Sequence, residues 1–282
     1  MITINPFAQL NAASPDVFTP GVMQAFIILM ILMVIGGTIF DVLHKKSAKY
    51  FFENTKKGQK NAKREVSSAE RKGLMVKTLT SEVLTSSEFS NQKRRLSHLL
   101  TMYGFILFVA TTAIMIFAYP TVADGTPAIL PFLWHVGALM LCIGGYWFWF
   151  AIRVDVAAEG NPWYKISYRA DMFILSLLAT CTFALLWSFT SGMGIFFVLF
   201  ILSTVFLFGG VIWSKFAHMF FKPAAAYEKR VVQADGSNEG LPTIPDLSST
   251  DVHEKFPDIP TYMGKNPPNM GAGIRREPAN HY

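Results

Sequence analysis

Six histidines and two cysteines are the side chains of this 282-residue sequence best suited to hold a metal or a cofactor. Two of the histidines stand where long apolar runs begin or end. His98 lies in Arg95-Leu96-Ser97-His98-Leu99-Leu100-Thr101-Met102-Tyr103-Gly104-Phe105. His218 lies in Ser214-Lys215-Phe216-Ala217-His218-Met219-Phe220-Phe221-Lys222-Pro223. Two neutral imidazoles offered by different helices at one depth can ligate the iron of a b-type haem from both faces. A flat macrocycle needs room, which small residues supply. Gly104 follows His98 by less than two helical turns, and Gly209 and Gly210 precede His218 by two or three. Propionates take cationic partners, and Arg94, Arg95, Lys215 and Lys222 stand at the same boundary; Arg95 and Lys215 each precede their histidine by three residues. A histidine at the end of an apolar run also serves as an interfacial residue with its ring among lipid headgroups. The residues alone leave both readings open.

The elements that would position these side chains are membrane spans. The sequence is 51% hydrophobic and 16% charged, with a mean hydropathy of +0.33, whereas soluble domains carry about 25% charged residues. A span needs about 20 apolar residues, and five stretches qualify: 21–43, 98–119, 129–152, 170–190 and 195–218. Pro120, Asp124-Gly125, Gly160-Asn161-Pro162 and Ser191-Gly192 mark the breaks. The fold class expected is an all-α integral membrane protein with five transmembrane helices.

A net charge of +6 and a pI near 9.2 are compatible in magnitude with nucleic-acid binding. The distribution excludes it. All 25 Lys and Arg fall in Lys45–Arg95, Arg153–Arg169, Lys215–Arg230 and Lys255–Arg276. Segment 44–97 carries 14 of them against five Asp and Glu, which by the positive-inside rule makes it cytoplasmic. Alternation across the five spans then brings every basic residue to the cytoplasmic side, with the N-terminus outside and the C-terminus inside. The organisation expected is an external tail 1–20, a five-span bundle 21–225 with a cytoplasmic loop 44–97, and an extended cytoplasmic tail 226–282. The first apolar run reads as a retained span, since no basic residue precedes it and no small-residue cleavage site follows. Trp134, Trp147, Trp149, Trp163, Trp187 and Trp213 fall near span ends, where their rings favour the interface or pack between helices. The loop's basic residues suit anionic headgroups or a docked protein. In the tail, Phe256, Ile259, Tyr262 and Met263 are candidate anchors for a partner.

His135 falls within the third span, toward its outer end. A quinol headgroup bound there needs an acceptor that can take a proton, for which a neutral imidazole is suited. A structural histidine bonded to a backbone carbonyl is the competing reading. His44 reads as interfacial, and His253 and His281 as solvated. Cys142 and Cys181 lie in apolar runs and read as packing residues. Two such cysteines without a CxxC exclude a c-type haem attachment, a zinc ribbon and an iron–sulfur cluster held by this chain alone.

The segments around His98 and His218 resemble the haem-bearing spans of the five-helix membrane cytochrome b family, which includes the gamma subunit of respiratory nitrate reductase and related subunits of heterodisulfide reductase and of sulfur-metabolism complexes. The resemblance covers about residues 20–225. It rests on Arg95-x-x-His98 followed by Tyr103-Gly104-Phe105, and on Lys215-Phe216-x-His218 followed by Lys222-Pro223. It implies a b-type haem on His98 and His218, with Arg95 and Lys215 toward its propionates, and quinone as the diffusible substrate. Family members with two haems carry a second histidine pair, but Phe108 and Phe200 stand about where it would fall. The resemblance therefore implies one haem. It also implies a partner, a cytoplasmic flavin or iron–sulfur oxidoreductase of which adenylylsulfate reductase is the example expected, at a bacterial cytoplasmic membrane. The chain itself would be a non-catalytic or quinone-reactive subunit. Two other classes stay open. A haem-free scaffold would use loop and tail as docking surfaces, and a small transporter would need polar side chains through mid-membrane, where the spans offer mostly Ser and Thr.

Overall fold

The computed structural model describes residues 2–44, 46–87, 89, 91–155, 160–190, 192–214, 216 and 218–241, together with residues 250, 254, 269–270 and 274–275. The side chains of residues 46–50, 218, 220, 269–270 and 274–275 lie outside that description. In chain order the helices are α1 (Pro6–Ala13), α2 (Pro20–His44), α3 (Lys46–Lys60), α4 (Ser68–Thr78), α5 (Gln92–Ala118), α6 (Ile129–Trp147), α7 (Tyr168–Thr190), α8 (Ile195–Gly209) and α9 (His218–Ala234). A two-residue antiparallel pairing of Asn269–Met270 with Ile274–Arg275 is the extended structure among the described residues. The chain divides into two compact units, Met1–Tyr50 with Leu79–Ala224, and Phe51–Thr78 with Ala225–Tyr282.

The first unit is a helical bundle. α6 continues through a π turn, Phe148–Ile152, and α8 through a 3-10 turn, Gly210–Ile212. Pro20–His44, Gln92–Ala118, Ile129–Ile152, Tyr168–Thr190 and Ile195–Ile212 are each long and apolar enough to cross a membrane. Leu32, Ile39, Ile143 and Phe206 are each more than half exposed on these helices, a surface that water would not tolerate over such an area but lipid would. The architecture is that of a multi-pass membrane protein.

Two span boundaries differ from expectation, both beside the candidate ligands. α5 begins six residues before His98, because Asn91 Oδ1 accepts from the amides of Lys93 (2.9 Å) and Arg94 (3.2 Å) and caps the helix there. His98 thus sits in the second turn of α5 instead of opening it. At the other site the last span stops at Ile212, short of His218. Consecutive glycines, Gly209 and Gly210, weaken the helix, and Ser214 Oγ then accepts from the Phe216 amide (3.2 Å), diverting the backbone. Phe216 packs edge-on against Phe173 and Phe208, and His218 opens α9 instead of closing the fifth span.

The segment expected to be an external tail is partly folded. Asn5 caps α1 through Oδ1, which accepts from Phe7 N (3.0 Å) and Ala8 N (3.3 Å), and Pro6 takes the first helical position. Phe7 and Leu10 are 1% and 0% exposed. Trp134, Trp149 and Trp187 are likewise buried, packed between helices, whereas Trp163 and Trp213 are exposed.

The tightest packing joins α5 to α6. A Cβ on Gly104 would stand 2.8 Å from Gly137 O, one on Gly137 would stand 2.7 Å from Phe108 N, and one on Gly144 would stand 2.7 Å from Ser97 O. Backbone meets backbone here, and Ser97 Oγ donates to Gly144 O at 2.8 Å across the seam. This is how small residues let membrane helices associate. Gly137→Ala is expected to force the helices apart and cost about 1–3 kcal/mol, read as a lowered melting temperature in detergent; an unchanged melting temperature would contradict the close approach.

The second unit is small and helical. Arg64 clasps Glu70 through both guanidinium nitrogens (2.9 and 2.6 Å), and its Nε donates to Ala234 O at 2.6 Å. The amides of Lys63 and Arg64 donate to Asp235 O, tying the end of α3 to the end of α9. Val66, Val231 and Val232 are buried. Residues 226–234, expected as part of an extended tail, are therefore helical. Phe256, Ile259, Tyr262 and Met263 lie outside the described residues, as do His253 and His281.

Candidate functional site

His98 is half-buried, and its Nδ1 lies 3.0 Å from Ser86 Oγ. Ser86 is 1% exposed and holds φ at 48°, in the left-handed region that a serine seldom occupies. Three side chains of α5 hold three consecutive residues of the preceding segment. Tyr103 Oη donates to Leu84 O (2.7 Å), Arg95 Nε donates to Thr85 O (2.7 Å), and His98 meets Ser86. Those three are the polar members of the Arg-x-x-His…Tyr pattern; their shared target is the segment 84–86, and Ser86, which sequence reasoning missed, is the partner of His98 within it. Only local turn chemistry near Ser86-Ser87 could have pointed to it.

Aromatic and cationic groups complete the surroundings. The Phe89 ring lies 5.1 Å from the His98 ring, with Arg94 Cζ at 5.5 Å and Lys222 Nζ at 5.4 Å from its centroid. Lys222 is thereby brought to the His98 end of the bundle. Lys215 lies outside the described residues, and so does the side chain of His218.

The expected room for a macrocycle is not where the glycines suggest. Gly104 is closed by the backbone of α6, as described above. Gly209 and Gly210 face the methyl ends of Met33 and Met172, whose Cε atoms would stand 2.7 and 2.9 Å from an added Cβ. These are flexible thioethers that can move aside, so the space beside α8 is adjustable and the space beside α5 is not. Phe108 and Phe200 are core residues, stacked on Trp134 (5.2 Å) and Trp187 (5.5 Å). Among the described residues no three His, Cys, Asp or Glu side chains converge.

The surroundings of His98 are compatible with a ligand role. An imidazole that ligates through Nε2 needs its Nδ1–H held by an acceptor, and the buried Ser86 hydroxyl stands at that position. The cations Arg94 and Lys222 lie beside it, against the Phe89 ring.

At the opposite end of the same unit His135 is 7% exposed and bonded at both nitrogens, Nδ1 to Pro131 O (2.7 Å) and Nε2 to Ser188 Oγ (3.0 Å). Ser188 Oγ also donates to Leu185 O at 2.7 Å. His44 is exposed, with Nδ1 3.2 Å from Phe40 O and its ring stacked on Phe40. Two further clusters went unseen in the sequence. Arg153 and Asp171, both buried, form an ion pair of 2.6 Å between the ends of α6 and α7. Cys142 and Cys181 lie side by side in mid-bundle, Sγ to Sγ 3.3 Å.

Fold and site together define a class: a chain with five helices long and apolar enough to cross a membrane and, at one end, a polar cluster around a single described histidine, His98. Comparisons with known protein families, with curated proteins and with solved structures return no match.

Proposed function

We propose that this chain is the membrane subunit of a redox complex, holding a cytoplasmic oxidoreductase at the bilayer and linking it to the quinone pool. His98 carries the reading: a half-buried imidazole near one end of a membrane-length helix, held at Nδ1 by a buried, strained serine and flanked by Arg94, Arg95 and Lys222. His98 Nε2 would hold the iron of one b-type haem, with His218 as the second ligand and Arg95 and Lys215 toward the propionates. Bound there, the haem would supply a one-electron relay between the partner's redox centre and quinone. Ser86 would accept the Nδ1–H bond, fix the tautomer and strengthen the ligand. The cations around Phe89 would offset the propionate charge.

The basic loop and tail argue for an outside N-terminus and a cytoplasmic C-terminus, with the His98 end inward. The resemblance of the two histidine segments supports adenylylsulfate reductase as the partner and makes this chain its anchor in a bacterial cytoplasmic membrane. That partner oxidises sulfite and AMP to adenylylsulfate and delivers the electrons onward, so this chain performs no sulfur chemistry. His135 is the candidate for the quinone headgroup. Ser188 has one hydroxyl proton for two neighbours, Leu185 O and His135 Nε2. A ring that takes a proton from quinol turns the second contact into a donor–acceptor pair and relieves that competition.

The test is a reduced-minus-oxidised spectrum of the purified chain. A b-type band is expected, lost in His98→Ala and His218→Ala and retained in His44→Ala. Ser86→Ala is expected to keep the band and weaken haem retention about 10–100-fold, measured by transfer to apomyoglobin. A chain that binds its partner in full without the band overturns the haem. The second reading, a haem-free scaffold, is favoured by one observation: Arg95, His98 and Tyr103 already have work in holding residues 84–86. On that reading alanine at Arg95, His98 or Tyr103 loosens the segment, and the chain shows no b-type band to lose.

A further inference from the structure

α6 and α7 pack antiparallel in a register that repeats along their length. His135 meets Ser188, Cys142 meets Cys181, and Gly145 receives Leu178, whose Cδ2 would stand 2.7 Å from an added Cβ. These positions recur at seven and three residues on both helices, the spacing of a close-packed helical seam. Gly145 lies one turn from Cys142, and Leu178 one turn from Cys181, so the seam is tightly packed beside the two thiols. A disulfide needs Cα atoms about 4.4–6.8 Å apart and sulfurs at about 2.05 Å. The two sulfurs stand 3.3 Å apart, in contact and facing each other across the seam.

The thiols are linked to the outer surface of the bundle by a chain of hydroxyls. Cys181 is fully buried and donates to Leu178 O at 3.4 Å. Cys142 is half-buried and donates to Cys181, with Thr182 Oγ1 3.7 Å away on its other side. Thr182 Oγ1 in turn lies 2.9 Å from Tyr146 Oη, and Tyr146 is 38% exposed on the apolar surface. Tyr146 and Cys142 are one turn apart on α6, and Thr182 directly follows Cys181 on α7, so helical geometry fixes the order Tyr146, Thr182, Cys142, Cys181. Either partner can donate in the two contacts of Thr182.

We propose that Cys142 and Cys181 form a redox dithiol within the membrane bundle, oxidised to a disulfide by a lipid-soluble quinone at the Tyr146 surface. The pair lies near the middle of two membrane-length helices, where charged and strongly hydrated oxidants and reductants do not reach. A quinone does. Two S–H bonds break and one S–S bond forms; two electrons and two protons pass to the quinone, whose carbonyl oxygens become the hydroxyls of the quinol. With the Cys142 S–H turned from Cys181 to Thr182, its proton moves outward through Thr182 and Tyr146; the Cys181 S–H, turned from Leu178 O to Cys142 Sγ, sends the second proton along the same route, and Tyr146 hands each to a quinone oxygen. The product staples α6 to α7. This inference rests on the chain's place in a membrane and is independent of the haem.

The full-length chain in lipid nanodiscs is treated with duroquinone, whose fully substituted ring does not take up thiols by addition. Two thiols per chain, titrated with maleimide after unfolding in SDS, are expected to disappear, with one quinol formed and a mass loss of two hydrogens. After proteolysis between α6 and α7 the two fragments should stay joined on a denaturing gel until reduced. Cys142→Ser and Cys181→Ser are each expected to keep their remaining thiol and to yield no quinol. Tyr146→Phe should slow closure by duroquinone roughly a hundredfold, the lower end of what a positioned proton donor contributes, and leave closure by the small oxidant diamide unchanged. Two thiols still titratable after duroquinone overturn the proposal, including when diamide alone closes them. Quinol formed equally well by Cys142→Ser overturns it too, and an unchanged Tyr146→Phe rate removes the hydroxyl chain. Thiol titration carries no haem signal, so its failure and a failure of the spectral test stay distinct.

Discussion

Arg153→Ala is expected to destabilise the bundle by about 3–5 kcal/mol, the usual consequence of leaving one member of a buried ion pair alone. Arg153 is 3% exposed and fully engaged. Its Nη2 donates to Asp171 Oδ2 (2.6 Å) and Lys165 O (2.6 Å), its Nη1 donates to Pro162 O (2.7 Å), and its guanidinium lies 4.2 Å from the Trp149 ring. One planar fork thus closes the loop between α6 and α7 on itself. In the alanine variant the Asp171 carboxylate keeps the Ser167 amide (2.7 Å) and loses its counter-charge, while two loop carbonyls lose their donor. Arg153→Lys is expected to recover less than half of the loss, because a point-like ammonium cannot reach three acceptors and stack on an indole at once. A paired apolar replacement of both residues should lie closer to wild type than Arg153→Ala, since desolvation offsets much of what the pair contributes. The measurement is reversible denaturation in mixed detergent, compared with expression yield. An Arg153→Ala variant within about 0.5 kcal/mol of wild type, the range of ordinary surface substitutions, would show that the pair is incidental.

The contrast between this ion pair and the spans marks what sequence can carry. Apolar runs are local, so five helices and most of their ends were legible from length and breaks. The exceptions have local causes too small to weigh in advance: the Asn91 cap that starts α5 early, and the Gly209-Gly210 break that stops the last span before His218. Side-chain partnerships across the chain were not legible. Arg153 meets Asp171 across a loop, and Cys142 meets Cys181 at a separation of 39 residues. Each residue taken alone suggested only a span end or a packing position. His98 was a candidate from its type and neighbours, but the contact with Ser86 was not legible, because a left-handed serine has no compositional signature. Gly104 shows the opposite error. Its smallness was correctly noticed, and its use, close approach to α6, was mistaken for room beside the histidine.

The segment most thoroughly hidden in the sequence gives the other large expected effect. Phe7→Ala should cost about 3–5 kcal/mol, the range for removing a buried ring that the surroundings cannot refill. Phe7 stands edge-on to both Trp187 (5.3 Å) and Trp134 (6.0 Å). Neither indole can close the gap. Trp134 Nε1 is bonded to Thr112 Oγ1 (2.9 Å) and its ring is stacked on Phe108, while Trp187 Nε1 is bonded to Gly192 O (3.0 Å) and its ring is stacked on Phe200. α1 is also held at both ends, by Asn5 Nδ2 to Tyr119 O (2.9 Å) and Asn11 Nδ2 to Pro120 O (2.6 Å), so it cannot slide to fill the hole. His135 lies directly behind, its ring edge-on to Trp134 at 4.9 Å. The cavity left by Phe7 would therefore admit water and small reagents toward that imidazole. Acylation of His135 by diethylpyrocarbonate, located by mass spectrometry, is expected to be slow in wild type and strongly accelerated in Phe7→Ala, with Phe7→Leu intermediate because most of the volume is retained. His135 modified equally in wild type and Phe7→Ala would mean that α1 does not seal this end, and that a quinone headgroup at His135 has another way in.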